Sequence, residues 1–161
     1  LWEGAQGFNL DVDYGDYPYV TSSNCISGAV YLNGLKPGSH ITVTGVCKIY
    51  DTYVGNKNFG CPEAEGLDDL GDEYGSTTGR KRKVDFLDLN LLKRAIKVNN
   101  VTCLIFNKCD VLKEFGKFKI YKGVECLEFS NFKDMKEFLK SELIYKTGIV
   151  EIKFSEDKYT L

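Results

Sequence analysis

The segment Gly75-Ser76-Thr77-Thr78-Gly79 runs directly into four consecutive cations, Arg80, Lys81, Arg82 and Lys83. Glycines let a backbone approach a ligand closely, threonines bring hydroxyl and N–H groups, and arginines bring planar forks that match carboxylate or phosphate oxygens. The segment reads as an anion-binding loop, against the plainer reading of a solvated basic turn before the next helix. A second candidate is Asn107-Lys108-Cys109-Asp110. An aspartate can accept both the ring N–H and the exocyclic amine of guanine, while a lysine stem packs along the purine face. A plain polar turn is the competing reading. In Gly4-Ala5-Gln6-Gly7 the glutamine amide both donates and accepts, which suits a purine edge. The hydroxyl cluster Thr21-Ser22-Ser23-Asn24 suits either a phosphate or an ordinary helix N-cap.

These loops need elements to hold them. Residues 1–24, rich in glycine and tyrosine and carrying Asp11, Asp13 and Asp16, read as ordered loop. A short helix is expected over 24–32, ended by Asn33-Gly34 and Pro37. Residues 40–54, rich in Ile, Val, Thr and Tyr, predict one long strand, and 56–76 predict a long loop. Asp88 reads as an N-cap, with Leu89, Leu92 and Ile96 on one helical face. Residues 101–106 predict a strand buried on both faces, which would place Asn107 to Asp110 where α/β sheets present ligands. A strand pair is expected over 117–121 and 124–129, an amphipathic helix over 131–145, and a last strand over 148–154. Phe132, Met135, Phe138, Leu139 and Leu143 form the apolar side of that helix. The alternation indicates an α/β fold in a single lobe spanning 1–161.

The 161 residues suffice for a real core, and a net charge of −2 gives no global field for nucleic acid or a membrane surface. Acidic residues gather in 63–73, directly before the basic loop. No apolar run approaches the roughly 20 residues of a membrane span. The reading is a cytoplasmic protein with six reduced cysteines, of which Cys47, Cys103 and Cys126 sit in apolar runs as small hydrophobes. A single histidine, His40, leaves poor prospects for zinc, and His40 reads as a surface residue. The chain opens at Leu1-Trp2-Glu3 without methionine, which reads as a fragment, a processed product or half of a split enzyme.

Six blocks in order carry a resemblance: Glu3 to Gly7, Leu10 to Asp13, Tyr17 to Asn24, Gly75 to Arg80, Leu87-Asp88, and Lys108 to Leu112. Together they resemble the C-terminal half of the adenylosuccinate synthetase family, ligases that join L-aspartate to IMP using GTP. The likeness is close over 1–112 and divergent over 113–161. It implies a mixed-sheet α/β fold that is incomplete without an N-terminal half or complementary chain. It also implies residue roles. Gln6 would contact the hypoxanthine edge and Thr21 the 5′-phosphate, with Val54 and Gly55 on the ribose side. Thr77 and Thr78 would hold aspartate, Arg80 would bridge aspartate and ribose, and Arg82 would clamp aspartate and the transferring phosphate of GTP. Gln6 and Arg82 would be the catalytic pair, and Asn107, Lys108 and Asp110 would hold the guanine. Phosphorylating the purine oxygen builds negative charge, which a preset guanidinium cluster stabilises.

The family's phosphate loop, catalytic aspartate and histidine, and Mg2+ site belong to the half that is not seen here, so the isolated chain is expected to be inactive. The usual serine-x-glycine-proline of the guanine pocket is replaced by Val150-Glu151-Ile152-Lys153-Phe154. Tyr53-Val54-Gly55-Asn56-Lys57 replaces an arginine- and glycine-rich stretch beside the sugar. Both departures fit the family's viral branch, which joins aspartate to deoxyguanylate and can use ATP, whereas Lys108 and Asp110 favour GTP. A third reading is a non-catalytic nucleotide-binding or regulatory fragment. The family's dimers imply self-association.

Overall fold

A computed structural model describes residues 1–75 and 79–157; the candidates Thr77 and Thr78 lie outside the described residues. In chain order the elements are α1 (Ala29–Leu32), β1 (Val43–Lys48), β2 (Tyr50–Tyr53), α2 (Leu67–Leu70), β3 (Lys83–Asp88) and α3 (Leu89–Asn99). Then follow β4 (Val101–Asn107), α4 (Cys109–Phe115), β5 (Phe118–Lys122), β6 (Glu125–Phe129), α5 (Phe132–Thr147) and β7 (Glu151–Phe154). The strands form two sheets, a parallel one ordered β1-β4-β7 and a mixed one ordered β2-β3-β5-β6. This is a mixed-sheet α/β fold, as the sequence indicates.

Local chemistry explains the elements that were legible. The Asp88 carboxylate accepts from the Asn90 and Leu91 N–H groups at 2.8 and 3.1 Å, starting α3, whose Leu89, Leu92 and Ile96 are buried. Asn131 caps α5 by accepting from Asp134 N–H at 3.0 Å, and Gly148 ends it in the left-handed region. Phe132, Met135, Leu139 and Leu143 of α5 are buried, while Phe138 is half-buried against the Phe129 ring. β4, the central strand of the parallel sheet, buries Leu104 and Phe106, and Phe106 stacks on Phe154 of β7 at 5.0 Å.

Four expectations are corrected. The single strand over 40–54 is two strands in different sheets. Ile49 N–H still bonds Asn107 O at 3.0 Å, and the chain then crosses with Ile49 and Tyr50 buried at the junction. β-propensity is uniform across such a crossing and does not mark it. The helix over 24–32 is reduced to Ala29–Leu32, because Cys25 N–H goes to the Asp11 carboxylate and Ser27 bonds Asn99 through both N–H and hydroxyl. The loop over 56–76 contains a 3-10 turn and α2, and buries Ala64, Leu67 and Glu73. Of the cysteines, Cys109 is the buried one, Cys126 is exposed, and Cys47 and Cys103 are intermediate. Strand β3 and helix α4 were not anticipated. β3 begins on a lysine of the basic run, and α4 starts without a side-chain cap.

Candidate functional site

The N-terminal segment is held by one buried carboxylate. Asp11 accepts from Asp13 and Tyr14 N–H, each at 2.9 Å, and from Cys25 N–H. Burial would raise its pKa, but the donors from Tyr14, Cys25 and Asp13 outweigh that and hold it below the ordinary aspartate value. Thr21 N–H bonds Leu10 O at 2.7 Å, folding the hydroxyl cluster back on the Asp11 turn. Gly15 sits where a Cβ would meet Asp11 O at 2.5 Å and Asn9 O at 2.6 Å, so the turn closes only around glycine. Asp16 then pairs with Lys57, tying this segment to the loop after β2.

That tie builds the first pocket. Leu10, Pro18, Tyr19, Val20 and Thr21 face Tyr53, Val54 and Asn56 across about 470 Å³. The candidates Thr21 and Val54, far apart in sequence, thus line the same pocket, with Gly55 following Val54 at φ +150°. Tyr19 and Tyr53 meet edge to face at 6.4 Å, and Tyr53 also packs on Phe59. Gln6 is exposed at φ +67° and lines neither pocket described here.

The basic run is the return leg of a hairpin. Tyr74 and Lys81 form an antiparallel bridge, Arg82 N–H bonds Glu73 O at 2.9 Å, and Gly75 N–H bonds Arg80 O at 2.8 Å. The four cations diverge rather than forming one patch. Arg80 Nη2 donates to Asn56 Oδ1 at 3.2 Å, at the rim of the first pocket. Lys81 pairs with Asp68 and Asp69 at 2.7 and 3.0 Å, and Lys83 donates to Lys57 O at 2.6 Å. Arg82 turns to Glu73. The acidic run 63–73 is therefore a structural counterpart of the basic run, a pairing that the sequence reading did not draw.

Glu73 is buried, at 3% exposure, and was missed from sequence. Its Oε2 accepts from Lys48 Nζ at 2.6 Å and Arg82 Nη1 at 3.3 Å, and its Oε1 accepts from Tyr50 Oη at 2.8 Å. Lys48 Nζ also reaches Thr52 Oγ1 at 3.1 Å. Residues 48, 50 and 52 alternate as one face of an extended chain, so the face persists although the strand changes sheet. Burial lowers the Lys48 pKa against a partial offset by Glu73, and burial raises that of Tyr50, which stays a donor.

The second pocket, about 430 Å³, lies at the end of β4. Asn107, Lys108 and Asp110 all line it, together with Gly71, Asp72 and Ser155. Lys108 is left-handed, φ +60°, and its ammonium donates to Gly71 O at 2.8 Å. Asp110 sits in the first turn of α4. Asn107 Oδ1 is buried without a partner among the described residues. The pocket thus offers an unmet acceptor, a carboxylate and a lysine stem, a set that suits a donor-rich planar edge.

Among the described residues no three His, Cys, Asp or Glu side chains gather as a metal cage.

Residues 1–148 match the family model described as adenylosuccinate synthetase. The adenylosuccinate synthetase of Buchnera aphidicola (strain APS) is 41% identical over 158 residues, 91% of this chain and 36% of that protein. That of Thermotoga maritima is 42% identical over 153 residues, 91% of this chain and 37% of that protein. The solved structure of fully ligated adenylosuccinate synthetase from Plasmodium falciparum gives a TM-score of 0.68 at 32% identity, covering 84% of this chain and 35% of that chain. Cyanophage S-2L succinoaminodeoxyadenylate synthetase, bound to dGMP and dATP, gives 0.65 at 18% identity, covering 96% and 42%, a likeness in fold alone. The chain spans little more than a third of the length of the curated relatives it matches. With the family model matching residues 1–148 and relatives above 40% identity over 91% of the chain, this chain belongs to the adenylosuccinate synthetase family.

Proposed function

We propose that this chain supplies the nucleotide, aspartate and base-holding part of a ligase that joins L-aspartate to IMP with hydrolysis of GTP. The observation that carries the reading is the first pocket, which Thr21 and Val54 both line and whose Asn56 accepts a hydrogen bond from Arg80. In this reading Thr21 takes the 5′-phosphate, Val54 and Gly55 border the ribose, and Gln6 reads the purine edge. Thr77 and Thr78 hold aspartate, and Arg80 bridges it to the ribose. Arg82 meets the negative charge that develops as the purine oxygen is phosphorylated, and holding aspartate's carboxylates leaves its amine free to attack. Asn107, Lys108 and Asp110 hold the guanine. The phosphate loop and Mg2+ come from an N-terminal half or complementary chain, and a cytoplasmic homo-oligomer goes with the reading. No described helix is long and apolar enough to cross a membrane.

The viral pairing of deoxyguanylate with ATP is the second reading, favoured by Tyr53 in the first pocket and by Val150 to Phe154, which lead into and form β7. A non-catalytic regulatory fragment is the third. The test mixes the chain with the part of the Thermotoga maritima synthetase that precedes the matched region, and measures phosphate release from GTP. Release that needs both IMP and L-aspartate, with Arg80→Leu raising the aspartate requirement at least about tenfold, is expected. Release with dGMP and ATP instead selects the second reading. Calorimetric titration of the chain with IMP and with GTP completes the test. Failure to bind either nucleotide, together with no release, would refute the proposal, whereas binding without release selects the regulatory reading.

A further inference from the structure

We propose that Glu73 is a positioning residue that fixes the reactive orientation of Arg82; the inference rests on the role given above to Arg82. One buried carboxylate faces two cations, Lys48 and Arg82, so the cluster retains an excess positive charge. A network built only for stability would meet arginine with a bidentate fork. Here Arg82 makes one side-chain contact to Glu73, at 3.3 Å through Nη1, and its Nε is buried with no partner among the described residues. A buried orphan donor is costly, and a guanidinium free to choose its orientation would not leave one. The orientation is therefore imposed.

Three features impose it. The hairpin pairs Arg82 N–H with Glu73 O at 2.9 Å, placing the two side chains at the base of the loop. Tyr50 holds Oε1 of the carboxylate and Lys48 holds Oε2, so the carboxylate cannot rotate to follow the guanidinium. Tyr50 and Glu73 also crowd Gly71, whose carbonyl receives Lys108 in the second pocket. Glu73 thus holds Arg82 by one edge, leaving donors unspent for an anion that arrives during the reaction. It does so from a position that ties the hairpin to the base pocket.

The test reads Arg82 directly in the 15N spectrum of the chain's arginine Nε–H groups, assigned by Arg82→Lys. In the native chain the Arg82 signal is expected to be resolved and slow to exchange with water. Glu73→Gln should speed that exchange at least about tenfold, the loss of a charge-assisted restraint. Glu73→Asp should restore part of the protection, a rescue that filling space alone would not give. Tyr50→Phe, which keeps the core volume, should give an intermediate rate and stands in if Glu73→Gln does not fold. Unchanged Arg82 exchange in a folded Glu73→Gln or Tyr50→Phe chain overturns the proposal. Addition of L-aspartate and GTP then separates the two claims. A native Arg82 signal that moves with ligand, and fails to move in Glu73→Gln, supports both. A signal that is released in Glu73→Gln but never responds to ligand overturns the role of Arg82, and with it the purpose given to Glu73.

Discussion

Replacing Asp51 by asparagine should stabilise the chain at alkaline pH and leave it unchanged in acid. Asp51 lies on β2 directly opposite Asp85 of β3, and its Oδ2 accepts Asp88 N–H at 3.0 Å. Burial raises its pKa to about 7; the Asp88 N–H opposes this, and the charges of Asp88 and Asp85 add to it. An unfolded aspartate titrates near 3.9, so the folded carboxyl holds its proton across roughly three further pH decades. At about 1.4 kcal/mol per decade the ionised form would cost up to ~4 kcal/mol. The side chain is only half-buried by surface area, and solvent screening brings a realistic cost to about 2 kcal/mol. Because the folded pKa is raised, this stability is complete below about pH 4 and is lost as pH rises through about 7. Asparagine keeps an acceptor for Asp88 N–H and has no proton to lose. Urea unfolding of Asp51→Asn and the native chain should therefore coincide at pH 4. At pH 8 they should differ by about 2 kcal/mol in favour of the variant, with equal m-values. A stability difference of the same size at both pH values would refute the reasoning.

Gly71→Ala should lower stability by about 2 kcal/mol, because its Cβ would collide with Tyr50 Oη and lie 3.0 Å from Leu67 O and 3.2 Å from Glu73 Cγ. A native-like melting temperature would show that this packing is loose. Glu142 is held at a pKa of about 2 by Lys146 and Lys93, with Lys122 adding to them, and so joins α5 to α3 and β5. Its pKa is depressed, so the stabilisation is present above about pH 4.3 and is lost as pH falls through about 2. Glu142→Gln should cost about 1 kcal/mol at pH 7 after screening, less in high salt and almost nothing near pH 2. Equal losses across that range would count against the lysine clamp.

Helices with a capping residue and a periodic apolar face were readable. Asp88 and Asn131 announce α3 and α5 because a cap is a local hydrogen bond between residues two or three apart. The strand at 101–107 was readable because its apolar, β-prone run carries strand propensity, although the expected burial on both faces is not found: Leu104 and Phe106 are buried, while Cys103, Ile105 and Asn107 are only partly covered. Strand β3 was hidden because Lys83 and Asp85 look solvated, although Lys83 donates to Lys57 O and Asp85 opposes Asp51. Helix α4 was hidden because Lys108, at φ +60°, turns the chain without a signal in its side chain.

The residue types of the two pockets and the basic loop were decided by sequence alone, since hydroxyls, amides, guanidinium forks and carboxylates are intrinsic to each residue. Sequence order also carried the family. What each cation faces was decided only by tertiary structure. Lys81 is committed to Asp68 and Asp69, Arg82 to Glu73, and Arg80 extends to Asn56. The physical reason is that an ion pair depends on distance and burial, which arise when strands distant in sequence come together. Glu73 shows this most clearly. In the sequence it is one acid among several, and in the fold it is a buried carboxylate between Lys48, Tyr50 and Arg82.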